Sequence, residues 1–97
     1  MRTVSDLIAE AFLAGETQVM GNNETDGTCV WFNGAKVAEK TCEEEARLTL
    51  AGNARSKAIL NAICDQTGNG RPYSWKKGQP FFDLTPITED QWTYISI

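Results

Sequence analysis

An α+β fold is expected: a single domain over residues 1–97, built as an antiparallel sheet of five to seven short strands with two helices packed on it. Three observations carry this expectation. A chain of 97 residues holds one hydrophobic core. Two segments repeat apolar residues with the 3.6-residue period of a helix. Between and after them, short alternating segments follow one another through tight turns, a connection that pairs strands antiparallel.

The first helix is expected over residues 3–14. Val4, Leu7, Ile8, Ala11 and Phe12 fall on one face. Thr3 supplies an N-cap oxygen, Asp6 completes a capping box, and Gly15 suits the left-handed stop. Residues 17–20 form a short strand candidate, and the polar run 21–27 reads as a loop. Residues 28–32 and 35–40 flank Asn33-Gly34, a pair that tolerates the positive φ angles of a type I′ turn, so a tight hairpin is expected there. Strict alternation in its second arm puts Ala35, Val37 and Glu39 on one face and Lys36, Ala38 and Lys40 on the other. An acidic turn at 41–45 leads to a strand at 47–50, with Leu48 and Leu50 on one face.

Gly52-Asn53 opens the second helix, about 53–65, with Asn53 as its cap and Ala54, Ala58, Ile59, Ala62 and Ile63 as its stripe. Residues 73–75 and 80–84 make a second hairpin around 76–79, with Pro80 favouring an edge. Residues 91–97 alternate as a terminal strand.

Composition narrows the chemistry. Thirteen acids against nine bases give a net charge of −4, too acidic for a general nucleic-acid binder. No apolar run is long enough to span a membrane as a helix. Asp6 and Glu10 break what would be a signal-peptide core. Cys29, Cys42 and Cys64 are odd in number and widely spaced, which favours free thiols in a reducing interior. The chain has no histidine, so neither a Ser–His nor a Cys–His nucleophile pair exists, and a zinc site would need three thiolates and a carboxylate. No enzyme, metal site or cofactor is expected.

Charge is segregated along the chain. Residues 1–45 hold nine acids and three bases, residues 46–78 six bases and one acid, and residues 79–97 three acids. The first candidate site is the acidic set Glu24, Asp26, Glu43, Glu44 and Glu45. The hairpin returns its two flanks to one end, so Asp26 and Glu43 to Glu45 are expected as neighbours, a cluster whose self-repulsion a basic partner would relieve. The bland alternative is a solvated turn.

The second candidate is Gly52, Asn53, Arg55, Ser56 and Lys57, where free N–H groups at a helix start and nearby cations would suit an anion such as a nucleotide phosphate. The alternative is an ordinary capped helix. The third is aromatic. Trp31, Trp75, Trp92 and Tyr94 are expected mainly in the core. Phe81 and Phe82 are adjacent on a strand and must face opposite ways; Phe82 is taken as the exposed interface anchor.

In order, Thr25-Asp26-Gly27, Val30-Trp31-Phe32-Asn33-Gly34-Ala35-Lys36-Val37-Ala38, Leu48-Thr49-Leu50-Ala51-Gly52-Asn53, Arg55 with Leu60-Asn61-Ala62, and Trp75-Lys76-Lys77-Gly78-Gln79 resemble small accessory proteins of bacteriophages and prophages. The resemblance implies a phage protein made in the host cytoplasm that acts by binding. The leading expectation is a non-enzymatic, anti-CRISPR-like inhibitor whose acids pair with a host defence complex, the CRISPR effector, and block its nucleic-acid surface. Direct nucleic-acid or membrane contact is not expected. Two alternatives stay open: a homo-oligomeric sponge for signalling nucleotides at Asn53–Lys57, and a structural or assembly protein of the phage particle.

Overall fold

The computed structural model describes residues 2–97. Helix α1 spans Val4–Ala14. Its start is the expected capping box: the Asp6 N–H donates to Thr3 Oγ1 at 3.1 Å and the Thr3 N–H donates to Asp6 Oδ2 at 3.0 Å. Gly15 closes it at φ 74°, sending its N–H back to the last-turn carbonyls.

Five strands then run as a meander: β1 (Gln18–Met20), β2 (Asn23–Thr25), β3 (Cys29–Phe32), β4 (Ala35–Cys42) and β5 (Glu45–Leu48). A short 3-10 turn over Ala54–Ser56 leads into helix α2, Lys57–Gln66. Three strands follow, β6 (Tyr73–Lys76), β7 (Gln79–Phe82) and β8 (Thr85–Pro86), and then β9 (Thr93–Ser96). The large sheet has the order β1-β2-β3-β4-β5-β9, and β6-β7-β8 form a second sheet of their own. All pairings are antiparallel.

The helices cover one face of the large sheet. Ile8, Ala9 and Phe12 of α1 and Ile59, Leu60, Ala62 and Ile63 of α2 meet Val30, Ala38, Ala46 and Leu48 in one core. Gln66 Nε2 also donates to the Asp6 carbonyl at 2.9 Å, a polar tie between the helices. The small sheet joins through Asn61, whose side chain accepts from the Tyr73 N–H at 2.8 Å and donates to the Tyr73 carbonyl at 2.9 Å. Tyr73 and Phe82 stack edge to face, ring centroids 5.2 Å apart.

Several expectations change. The polar run 21–27 contains β2, because pairing with β3 outweighs the weak strand propensity of Asn23 and Glu24. The strand expected at 47–50 starts at Glu45 and ends at Leu48, and Leu50 reaches the core from the turn beyond it. Helix α2 begins four residues later than Asn53, since the 3-10 turn takes the Asn53 cap. Alternation in β4 is broken at Val37, where the partner register advances from Val30↔Ala38 to Trp31↔Lys36. The extra residue is a β-bulge, and Val37 and Ala38 are both fully buried. The Asn33-Gly34 turn is as expected, with φ 52° and 79°.

Candidate functional site

Register assigns each strand residue to a face of the large sheet. The row Thr25, Val30, Ala38 and Leu48 lies under the helices and is fully buried. Two other rows lie on the opposite face, which carries no helix. One is Val19, Glu24, Trp31 and Lys36; the other is Cys29, Glu39, Arg47 and Tyr94. Trp31 is half-buried there, Val19 is 63% exposed and Tyr94 57% exposed. Contrary to expectation, Trp31, Trp92 and Tyr94 do not enter the core: parity turns Trp31 and Tyr94 outward, and Trp92, just before β9, lies against Arg47 of the same face. Trp75 does pack against the core.

Charges on this open face are organised. Arg47 donates from Nε and Nη2 to Glu39 Oε1 at 2.9 and 2.6 Å, and Lys36 Nζ reaches Glu39 Oε2 at 3.2 Å. The Arg47 guanidinium also stacks over Trp92, 4.2 Å from the ring centroid. These contacts fix Arg47 and Trp92 as one plate. The hydrogen bonds from Arg47, then from Lys36, hold the Glu39 carboxyl below its ordinary value, and the same pairing raises Arg47. Cys29 lies beside this pair, and its thiol is pushed up first by burial and further by Glu39.

The acids take different positions in the sheet and its turns. Glu24 belongs to the open face, opposite Trp31. Glu45 lies on that face too, two residues before Arg47, and its carboxylate accepts from Thr41 Oγ1 at 2.5 Å. Glu43 and Glu44 are exposed in the β4–β5 turn. Asp26 acts on its own loop, where its Oδ1 accepts from the Thr28 and Cys29 N–H groups, both at 2.9 Å. Among the described residues no three acids or cysteines converge as a metal site.

Those N–H bonds, Cys29 first and Thr28 second, hold Asp26 below the ordinary 3.8, and the Thr3 N–H does the same for Asp6. A carboxylate depressed in the folded state contributes stability above its unfolded value and loses it as pH falls through the folded one. Melting temperature is therefore expected to drop as the pH is lowered below about 4. Asp26→Asn keeps the acceptor oxygen and is expected to flatten that acid limb in a series of thermal melts.

At the second candidate, Asn53 Oδ1 accepts from the Arg55 N–H at 2.9 Å. Arg55 and Lys57 are exposed, whereas Ser56 is only 1% exposed and its hydroxyl points into protein without a partner. The donors expected to converge there on a phosphate are thus separated: the Ser56 hydroxyl is inside, the cations outside. Gly52 sends its N–H to the Glu89 carbonyl at 2.9 Å. Phe82 is half-buried, packed on Tyr73 and the core, so it is not the free anchor; Phe81 takes the other side of β7.

Local alternation does not reveal a groove of about 550 Å³ at one end of the large sheet. It opens where α1 and α2 end, with Leu13, Gln66 and Thr67 on one side and Thr28, Lys40, Cys42 and Glu43 on the other; Ile97 completes the wall. A second register shift in β4, between Lys40 and Cys42, re-aims this segment. All three cysteines are free: Cys42 is exposed, Cys29 and Cys64 are buried, and burial pushes the Cys64 thiol up to about 12. Comparison with protein-family models, characterised proteins and solved structures gave no match.

Proposed function

We propose that this protein works by binding: it covers a basic, nucleic-acid-binding surface of a host defence complex with the open face of its large sheet. The observation that carries this reading is the pairing on one face of outward aromatic rings with carboxylates. Monomeric domains rarely expose such rings in a group, and Trp and Tyr are the usual anchors of protein interfaces. Trp31, Trp92 and Tyr94 supply apolar contact area. Glu24 and Glu45 on the face, and Glu43 and Glu44 at its end, supply negative charge that steers a lysine- or arginine-rich surface into place.

The phage resemblance gives the reading its finer form, an anti-CRISPR inhibitor that occupies the nucleic-acid groove of the CRISPR effector. Such a protein needs no cofactor and competes with the target strand. The test is competition among purified host effector, labelled target DNA and increasing amounts of this protein. DNA release is expected, weakening steeply with salt. Replacing Glu43, Glu44 and Glu45 together with glutamine is expected to slow association about tenfold. Tyr94→Ala is expected to speed dissociation, with a loss of about 2 kcal/mol. Release that is indifferent to salt and to both sets of substitutions would contradict the reading.

A further inference from the structure

The groove lined by the last turns of the two helices has the chemistry of a small-molecule site; Lys40 reaches it from the helix-covered side of the sheet, and Glu43 is the residue it shares with the end of the open face. Its volume, about 550 Å³, lies in the range of ligand pockets. Its cation is Lys40. Among the described residues this is the one half-buried lysine or arginine with no carboxylate partner; the other half-buried cation, Arg47, is paired with Glu39. Lys40 Nζ lies over the buried Phe12 ring, 5.2 Å from its centroid, where the ring face replaces only part of the lost hydration. The Lys40 N–H donates to the Thr28 carbonyl at 2.9 Å, so Thr28 is its neighbour across the ladder. Lys40 and Thr28 both line the groove, so its wall offers an ammonium and a hydroxyl, donors of the kind that suit a carboxylate.

The rest of the lining has the opposite sign. Glu43 is exposed there and joins no ion pair among the described residues. Leu13 and Gln66, from the last turns of α1 and α2, bring no charge to the groove. Glu43 favours an ammonium group and disfavours a phosphate dianion. Leu13 and Ile97 supply apolar wall. We propose that the groove binds a free α-amino acid with an apolar side chain: its carboxylate on Lys40 and Thr28, its ammonium toward Glu43, and its side chain against Leu13 and Ile97.

The test is a titration of the ¹⁵N-labelled protein with L-leucine, N-acetyl-leucine and leucinamide, each to about 10 mM, a range that detects millimolar affinity. Leucine is expected to shift the amide signals of Thr28, Lys40, Glu43 and Thr67, and to slow labelling of the Cys42 thiol by an aromatic disulfide. Each blocked analogue lacks one charge and is expected to bind about tenfold more weakly. Lys40→Met and Glu43→Gln are expected to lose the same factor. Glu43 lies in an exposed turn, so its variant reports on binding even if Lys40→Met loosens the fold. No shift with leucine, equal shifts with all three compounds, or an unchanged response in Glu43→Gln would overturn the proposal.

Discussion

Gly27→Ala is expected to destabilise the protein by at least about 3 kcal/mol, a fall in melting temperature of more than about 10 °C for a domain of this size. Two independent effects act at this position. Its φ is +88°, a conformation that a side chain disfavours. A Cβ there would lie 2.4 Å from the Gly15 carbonyl carbon and 2.6 Å from its oxygen. These are backbone atoms at the end of α1, and they cannot rotate away. Moving them would pull on the left-handed cap of the helix, or would break the Gly27 N–H bond to the buried Thr25 hydroxyl at 3.1 Å. Gly34→Ala is the control: its φ is also positive, at +79°, but nothing lies within 4 Å of an added Cβ. It is expected to cost only about 1 kcal/mol. Thermal or urea unfolding of the two variants checks the difference, and equal losses would show that the contact with Gly15 does not matter.

Asn61→Ala is expected to be the second most damaging change, by about 2–4 kcal/mol. Asn61 is 8% exposed, and its carboxamide satisfies both the N–H and the carbonyl of Tyr73, which is itself 3% exposed. Alanine leaves two buried backbone groups without partners and removes the polar clasp between α2 and the small sheet. The damage should be local before it is global. Amides of β6 and β7 are expected to exchange faster at temperatures where those of β3 and β4 remain protected.

Asn61→Asp gives a sharper test. The acid form can still donate to the Tyr73 carbonyl, whereas the carboxylate sets oxygen against oxygen. The folded-state pKa of that aspartate is therefore raised. Its contribution is retained at low pH and lost as pH rises through the raised folded value, opposite in sign to the acid sensitivity expected from Asp6 and Asp26. A variant equally weak at all pH values would contradict the pairing.

Much of the local architecture is legible in the residues. Thr3, Asp6 and Gly15 mark the limits of α1 because capping depends on neighbours three or four positions apart. Asn33-Gly34 marks the hairpin because both residues accept positive φ. The same reasoning fails where a distant partner decides. A bulge at Val37 in β4 shifts the alternation, so both Val37 and Ala38 are buried, and a second shift follows between Lys40 and Cys42. The sense of the sheet turns Trp31 and Tyr94 outward although aromatic composition favours the core. Phe82 rather than Phe81 packs inward because Tyr73 offers it a ring edge.

The candidate sites divide along the same line. Sequence order places the acids Glu43 and Glu44 at one end of the hairpin, since a hairpin must bring its flanks together. It does not place the open face, which requires five pairings, four of them in the meander and one made by β9 after a long excursion. Nor does it place the groove, whose lining comes from both helix ends, β4, the segment before β3 and the end of the chain. The helices, the tight turns and the acidic balance follow from the residues alone, because they depend on torsional preferences, short-range hydrogen bonds and charge counts. Which sheet face stays open, and where Lys40 and Glu43 meet the ends of the helices, follows only from the folded chain. Register and helix packing are set by contacts between residues tens of positions apart, which local periodicity does not encode.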